Sequence, residues 1–216
     1  MSQASAGGYS DVSQDERLIS IETPLGKDRF ILTSISGEEA ISELFRFDLD
    51  LLSLDHAISP EDIVGHDVTL WIRDGSGEKR PLRGIVSRFS AAGMHVRGMR
   101  LYRARVVPWF WLLTQTSDCR IFQDLNVPDI MRRVFGDHGF SDFEIDVTLA
   151  DYPKLEFCVQ YRETAFDFLS RLMEEVGIFY FFRHEAGRHV MVVADGNTAF
   201  RPLQESLIDF SEDGHA

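Results

Sequence analysis

Apolar and polar residues alternate with period two through much of the first half of the chain. Between 45 and 51, Phe45, Phe47, Leu49 and Leu51 fall on one side and Arg46, Asp48 and Asp50 on the other, the mark of a half-buried strand. LISIET at 18–23 and RFILTSI at 29–35 are short apolar runs parted by the turn-prone PLGKD. SPEDIVG at 59–65 predicts a single helical turn, with Ser59 as cap, Pro60 at the first position and Gly65 ending it. DVTLWIRD at 67–74 and EKRPLRGIVSRFSA at 78–91 flank Gly75-Ser76-Gly77, which predicts a hairpin. A second hairpin, through Ala91–Gly93, leads into MHVRGMRLYRARVVPWFWLL. There Arg97, Met99, Leu101, Arg103 and Arg105 oppose Gly98, Arg100, Tyr102, Ala104 and Val106. About six successive antiparallel strands with short turns imply a barrel or a strongly bent sheet, because closure removes exposed edges.

The period changes after Leu113. VPDIMRRVFGDHG at 127–139 places Ile130, Met131, Val134 and Phe135 on one helical stripe, with Pro128 at the start and Gly136 or Gly139 as the stop. FEIDVTL at 143–149 and KLEFCVQY at 154–161 read as strands. TAFDFLSRLMEEVG at 164–177 is the clearest helix: Thr164 and Asp167 form a capping start, and Gly177 supplies the left-handed stop. IFYFFRHEAGRHVMVVAD at 178–195 reads as a hairpin turning at Glu185–Gly187. The expected fold class is mixed α+β, mainly antiparallel β. A disordered leader (1–16) precedes an antiparallel β-barrel domain (17–113) and a smaller α+β domain (114–200). Residues 201–216 are expected to begin a truncated or incomplete C-terminal part.

Charge then removes function classes. Lys and Arg total 22 against 35 Asp and Glu, a net −13. Such a surface opposes nucleic-acid backbones, which are bound by displacing counterions with basic side chains, and it opposes anionic lipid. Two cysteines, Cys119 and Cys158, are too few for a disulfide framework or a zinc site, and both are expected to be buried structural thiols. The start lacks the basic and apolar regions of a secretory signal, and no apolar run is long enough to span a bilayer. The protein is therefore expected to be made in the cytoplasm, without a membrane anchor.

The search for chemistry yields candidates rather than a site. HEAGRH at 184–189 invites a metal reading, but a zincin needs its histidines at i, i+4 on a helix. Here the spacing is i, i+5 with Gly187 between, so His184, Glu185 and His189 are expected as solvated turn residues. His138 is expected to cap a helix end. Carboxylate pairs such as Asp48/Asp50 and Glu174/Glu175 arise by chance in so acidic a chain. No nucleophile elbow or phosphate-binding loop occurs. Arg88, Arg97, Arg100, Arg103 and Arg105 form a basic group, but alternation splits Arg100 from the others, and pairing with acids is expected. The rings of VVPWFWLL (106–113) and IFYFF (178–182) are expected on both faces of strands, in a core or against a partner. No catalytic residue, metal ligand or cofactor is assigned.

Six stretches in order carry a family likeness: YRARVVPWFWLL (102–113), DCRIFQD (118–124), VPDIM (127–131), FGDHG (135–139), CVQYRETAFDFLSRLMEEVGIFYFF (158–182) and HEAGRHVMVVAD (184–195). Together they resemble the VgrG spike proteins of type VI secretion, and are similar to the hub proteins of contractile phage tails. The likeness covers about 18–200. It implies a structural part and not an enzyme: a homotrimer whose N-terminal barrels form a ring on a tube of Hcp rings, assembled in the cytoplasm and exported. A spike, a PAAR-type tip and effectors would follow through a C-terminal part; the chain ends at Ala216, before it. Without that part, the chain is expected to be monomeric or weakly associated. A single-stranded nucleic-acid-binding barrel and a non-catalytic phage tail hub are the alternatives.

Overall fold

β-Branched and aromatic residues at every second position favour strands whose alternate side chains pack on one side. The computed structural model describes residues 13–94, 98–148 and 151–200. In it, β1 (Ile19–Glu22), β2 (Ile31–Glu38), β3 (Arg46–Ser53), β4 (Asp67–Arg73), β5 (Lys79–Met94) and β6 (Arg100–Val107) form one sheet. Its order is β1-β4-β5-β6-β3-β2, and every pairing is antiparallel. The alternation places Phe45, Phe47, Leu49 and Leu51 inside with Leu70, Val86, Tyr102 and Val106. The sheet curls until its edge strands approach each other, and Gln14 sits between them. The Gln14 amide donates to the Ile21 carbonyl (3.2 Å), while its Oε1 accepts from Ile21 N (3.0 Å) on β1 and Leu32 N (3.2 Å) on β2. The disordered leader expected over 1–16 therefore does not extend to Gln14, whose polar ends are consumed by two strands; residues 1–12 lie outside those described.

Pro108 changes the expected end of β6. Its ring removes the amide that a further ladder step would need, and Trp109–Thr114 forms a 3₁₀ helix instead of a strand. Trp109, Phe110 and Leu113 turn into a second core. That core is closed by β7 (Ser117–Leu125), α1 (Val127–Asp137), β8 (Phe143–Asp146), β9 (Leu155–Thr164), α2 (Ala165–Glu175), β10 (Phe179–His184) and β11 (His189–Ala194). β7 and β9 form an antiparallel two-stranded ribbon, and β10-β11-β8 a small sheet in which β8 runs parallel to β11. Both helices begin where the sequence predicts: Thr164 accepts from Asp167 N (3.0 Å) as expected, and Asn126, not singled out from sequence, caps α1 by accepting from Asp129 N (2.9 Å). Ile130, Met131, Val134 and Phe135 of α1 meet Phe168, Leu169, Leu172 and Met173 of α2. Tyr180 of β10 is buried in this core, while Phe179 and Phe181 face outward and stack on Phe200.

Candidate functional site

The β10–β11 turn is the place where sequence suggested metal chemistry. The turn proper is Glu185–Arg188, closed by Glu185 N donating to Arg188 O (2.9 Å), and His184 and His189 are the paired residues that flank it. Neither is solvated: the His184 side chain and His189 are each 4% exposed. This overturns the solvated-turn expectation, because the last pair of a hairpin still points its side chains into the packed face. His184 Nδ1 accepts from Arg83 N (3.0 Å) on β5, and its Nε2 donates to Glu39 Oε1 (2.7 Å). His189 Nε2 accepts from Trp109 N (2.8 Å), the first amide of the 3₁₀ helix. Burial, with the fields of His184 and Arg83, pushes the His189 pKa down to about 3, so the ring is neutral and serves as an acceptor.

These two rings hold the first core to the second. Phe45 of the curled sheet lies 4.9 Å from the His184 ring, 5.7 Å from His189 and 5.1 Å from Phe182. Glu185 instead reaches out to Arg188 (2.9 Å) and Arg183 (3.2 Å). Among the described residues, no group of three or more His, Cys, Asp or Glu could hold a metal ion.

The remaining candidates are dispersed. His138 ends α1, where its Nδ1 donates to Val134 O (2.8 Å), a C-terminal cap as expected. Cys158 is buried, and desolvation raises its thiol pKa. Cys119, expected to be buried too, is exposed: it lies across from Tyr161 on the outer face of the β7–β9 ribbon, whereas Cys158 lies across from Phe122 on the inner one. Two of the three arginines of β6 pair with acids. Arg105 bonds Asp48 (2.8 Å), Arg103 bonds Asp50 (3.3 Å), and Arg100 lies apart, over the Tyr102 ring. Arg97 lies outside the described residues. Sequence reasoning missed two structural contacts, the Gln14 seam between β1 and β2 and the His184–Glu39 pair. Nothing near Gln14 in the chain marks it, since its partners are set by the curl of the sheet. Among the described residues, no helix is long and apolar enough to cross a membrane.

Comparison with known proteins adds what the side chains do not supply. Residues 38–215 match the phage tail baseplate hub (GPD) family. The chain is 45% identical over 183 residues to the type VI secretion system spike protein VgrG1c of Pseudomonas aeruginosa, covering 85% of this chain and 25% of that protein. It is also 45% identical over 185 residues to VgrG1a of the same organism, covering 86% and 28%. It thus spans about a quarter of the length of these relatives. Among solved structures, a type VI secretion component of Escherichia coli, c3393, similar to the phage T4 tail proteins gp27 and gp5, superposes with a TM-score of 0.76. That match is at 26% identity and covers 85% of this chain and 50% of that one.

Proposed function

Because the chain belongs to the phage tail baseplate hub family, and within it to the VgrG spike proteins, we propose that it acts as the ring-forming front of a type VI secretion spike. In this reading it is a structural part, not an enzyme. A barrel unit (17–113) and an α+β unit (114–200) make the hub, with the Trp109–Thr114 helix packed into the second. Three copies form a ring that caps the Hcp tube; a PAAR-type tip and effectors attach through a further C-terminal part. The assembly forms in the cytoplasm and leaves through the apparatus. The observation that carries the reading is the likeness to VgrG1c, which runs through both cores and not through one motif. The two separate cores support the division into units. The placement of its histidines, at a packed junction, supports a structural role.

The test is a chimera. Residues 18–200 of this chain replace the corresponding region of VgrG1c in P. aeruginosa, and Hcp is assayed in the medium. Hcp export at a level near that of the parent is expected. A chimera that accumulates stably yet exports no Hcp would count against the reading.

A further inference from the structure

One nitrogen of a neutral imidazole accepts a hydrogen bond and the other donates one. In His189 a backbone amide decides which: Nε2 accepts from Trp109 N (2.8 Å), so the proton lies on Nδ1. His189 is 4% exposed, and among the described residues Nδ1 has no hydrogen-bond partner. Buried donors left over in this way are few in folded proteins, and each points to an ion, an ordered water or a ligand. The ring lines a cleft of about 200 Å³ where the two cores meet. Asp67 and Arg83 enter it from β4 and β5, Asp142 from the loop before β8 and Arg188 from the β10–β11 turn. Trp109 forms one wall, fixed by its Nε1 donating to Asp142 O (3.2 Å).

Size, charge and the free donors together describe the occupant. The volume lies below the ~300–1,000 Å³ of sites for drug-sized molecules, so the ligand is small. Arg188 gives its Nε to Glu185 (2.9 Å), which leaves its two Nη groups without partners among the described residues; such a fork suits a carboxylate. The Asp142 carboxylate makes no hydrogen bond among the described residues. Only its backbone carbonyl is used, by Trp109 Nε1 and by Met191 N (3.0 Å). Arg83 is held by Thr69 (3.0 Å) and Asp67 (3.4 Å), and closes the far side as a matched pair. The lining thus carries two guanidiniums and two carboxylates. A bare anion or a bare cation would leave one sign unmatched, and a chain of net −13 exerts no pull on an anion. A zwitterion matches both. We propose that this cleft binds a small free amino acid: its carboxylate takes Arg188 and the His189 Nδ1–H, and its ammonium faces Asp142. All of these residues belong to one chain, so the site is complete without a second copy.

The probe is L-alanine, titrated by calorimetry into the 216-residue chain at neutral pH. Propionate and propylamine, which keep one charge each, are titrated beside it. Alanine is expected to saturate one site with a Kd of about 1 mM, and the other two to bind at least roughly tenfold more weakly. With the histidines labelled by nitrogen-15, the His189 Nδ1–H signal, assigned by its loss in His189→Gln, shifts as alanine saturates. Arg188→Gln and Asp142→Asn each weaken alanine by roughly tenfold while melting as wild type does, since Arg188 is exposed and the Asp142 carboxylate holds no structural bond. Arg132→Gln, on α1 and bonded to Asp129, leaves the affinity unchanged. No saturation up to about 50 mM means that the cleft holds only water. Propionate or propylamine binding as tightly as alanine reduces it to a site for one charge, and an unmoved His189 signal puts the ligand elsewhere. Each of these overturns the assignment, as does an Asp142→Asn variant that binds alanine like wild type.

Discussion

A primary amide offers donors and an acceptor on one rigid group, and Gln14 uses both at the point where the curled sheet meets itself. Its side chain satisfies Ile21 N, Ile21 O and Leu32 N at 3.0–3.2 Å. Gln14→Leu leaves these groups buried without partners, and each unsatisfied group costs roughly 1–3 kcal/mol. The expected loss is about 3 kcal/mol in urea unfolding, whereas a neighbouring exposed change such as Asp15→Asn stays within about 0.5 kcal/mol. Equal midpoints for Gln14→Leu and wild type would remove the seam from the account. His189 makes stability depend on pH. Its folded pKa is depressed to about 3 by burial first and by the fields of His184 and Arg83 second, while the unfolded ring titrates near 6.5. Above pH 6.5 neither state is protonated and the term is absent; as pH falls from 6.5 towards 3, only the unfolded state binds the proton. Stability therefore falls with pH across that window, with a slope of up to about 1.4 kcal/mol per unit. Carboxylates add their own slope, so the comparison is with His189→Gln, whose side-chain oxygen keeps an acceptor for Trp109 N. The variant is expected to lose less stability than wild type between pH 7 and pH 4.5 in urea titrations; parallel losses would show that the ring does not titrate as argued.

Strands show how tightly neighbouring elements constrain a single position. A Cβ on Gly84 of β5 would stand 2.6 Å from Val107 O, 2.7 Å from Val106 Cγ1 and 3.0 Å from Phe45 Cε2. Two of these are side chains of a packed core, which yield only at a cost of about 1–3 kcal/mol. Gly84→Ala is thus expected to destabilise by about 2 kcal/mol, and Thr164→Ala, which removes the α2 cap, by about 1 kcal/mol; thermal melts of both report the order. The elements also show which parts of the fold could be read in advance. Phe45, Phe47, Leu49 and Leu51 declared their strand because period two is a local signal, and Thr164 with Asp167 declared a helix start for the same reason. The 3₁₀ helix after Pro108 escaped because a run of apolar rings fits a buried strand or a buried turn equally well. The burial of the hairpin histidines escaped for a different reason: their partners lie 101 and 80 residues away, at Arg83 and Trp109. Cys119 was misplaced because the bulge beside it and the pairing of β7 with β9 are set at long range.

Several groups hold the two cores together, Leu44 and Ile85 of the first unit packing on the second core among them. Phe182 packs against both, Phe45 meets Phe182, His184 and His189, and Ser42 N donates to Tyr180 O (2.8 Å). In the ring proposed above, cores that unfold together would leave no slack between them. The His184 side chain touches the β5 backbone and, in the segment between β2 and β3, both Glu39 and the Phe45 ring. Wild type is expected to unfold in one calorimetric transition, with calorimetric and van't Hoff enthalpies equal. His184→Ala removes the acceptor for Arg83 N, frees the Glu39 carboxylate and opens a cavity, for a loss of about 3 kcal/mol. Because that loss falls on the junction and not inside either core, the calorimetric enthalpy should now exceed the van't Hoff value. A core substitution of similar cost, Leu172→Ala, should lower the melting temperature without changing the ratio. If His184→Ala keeps the ratio at unity, the junction is merely one more packed site, and coupling resides in the rest of the shared surface around Phe182.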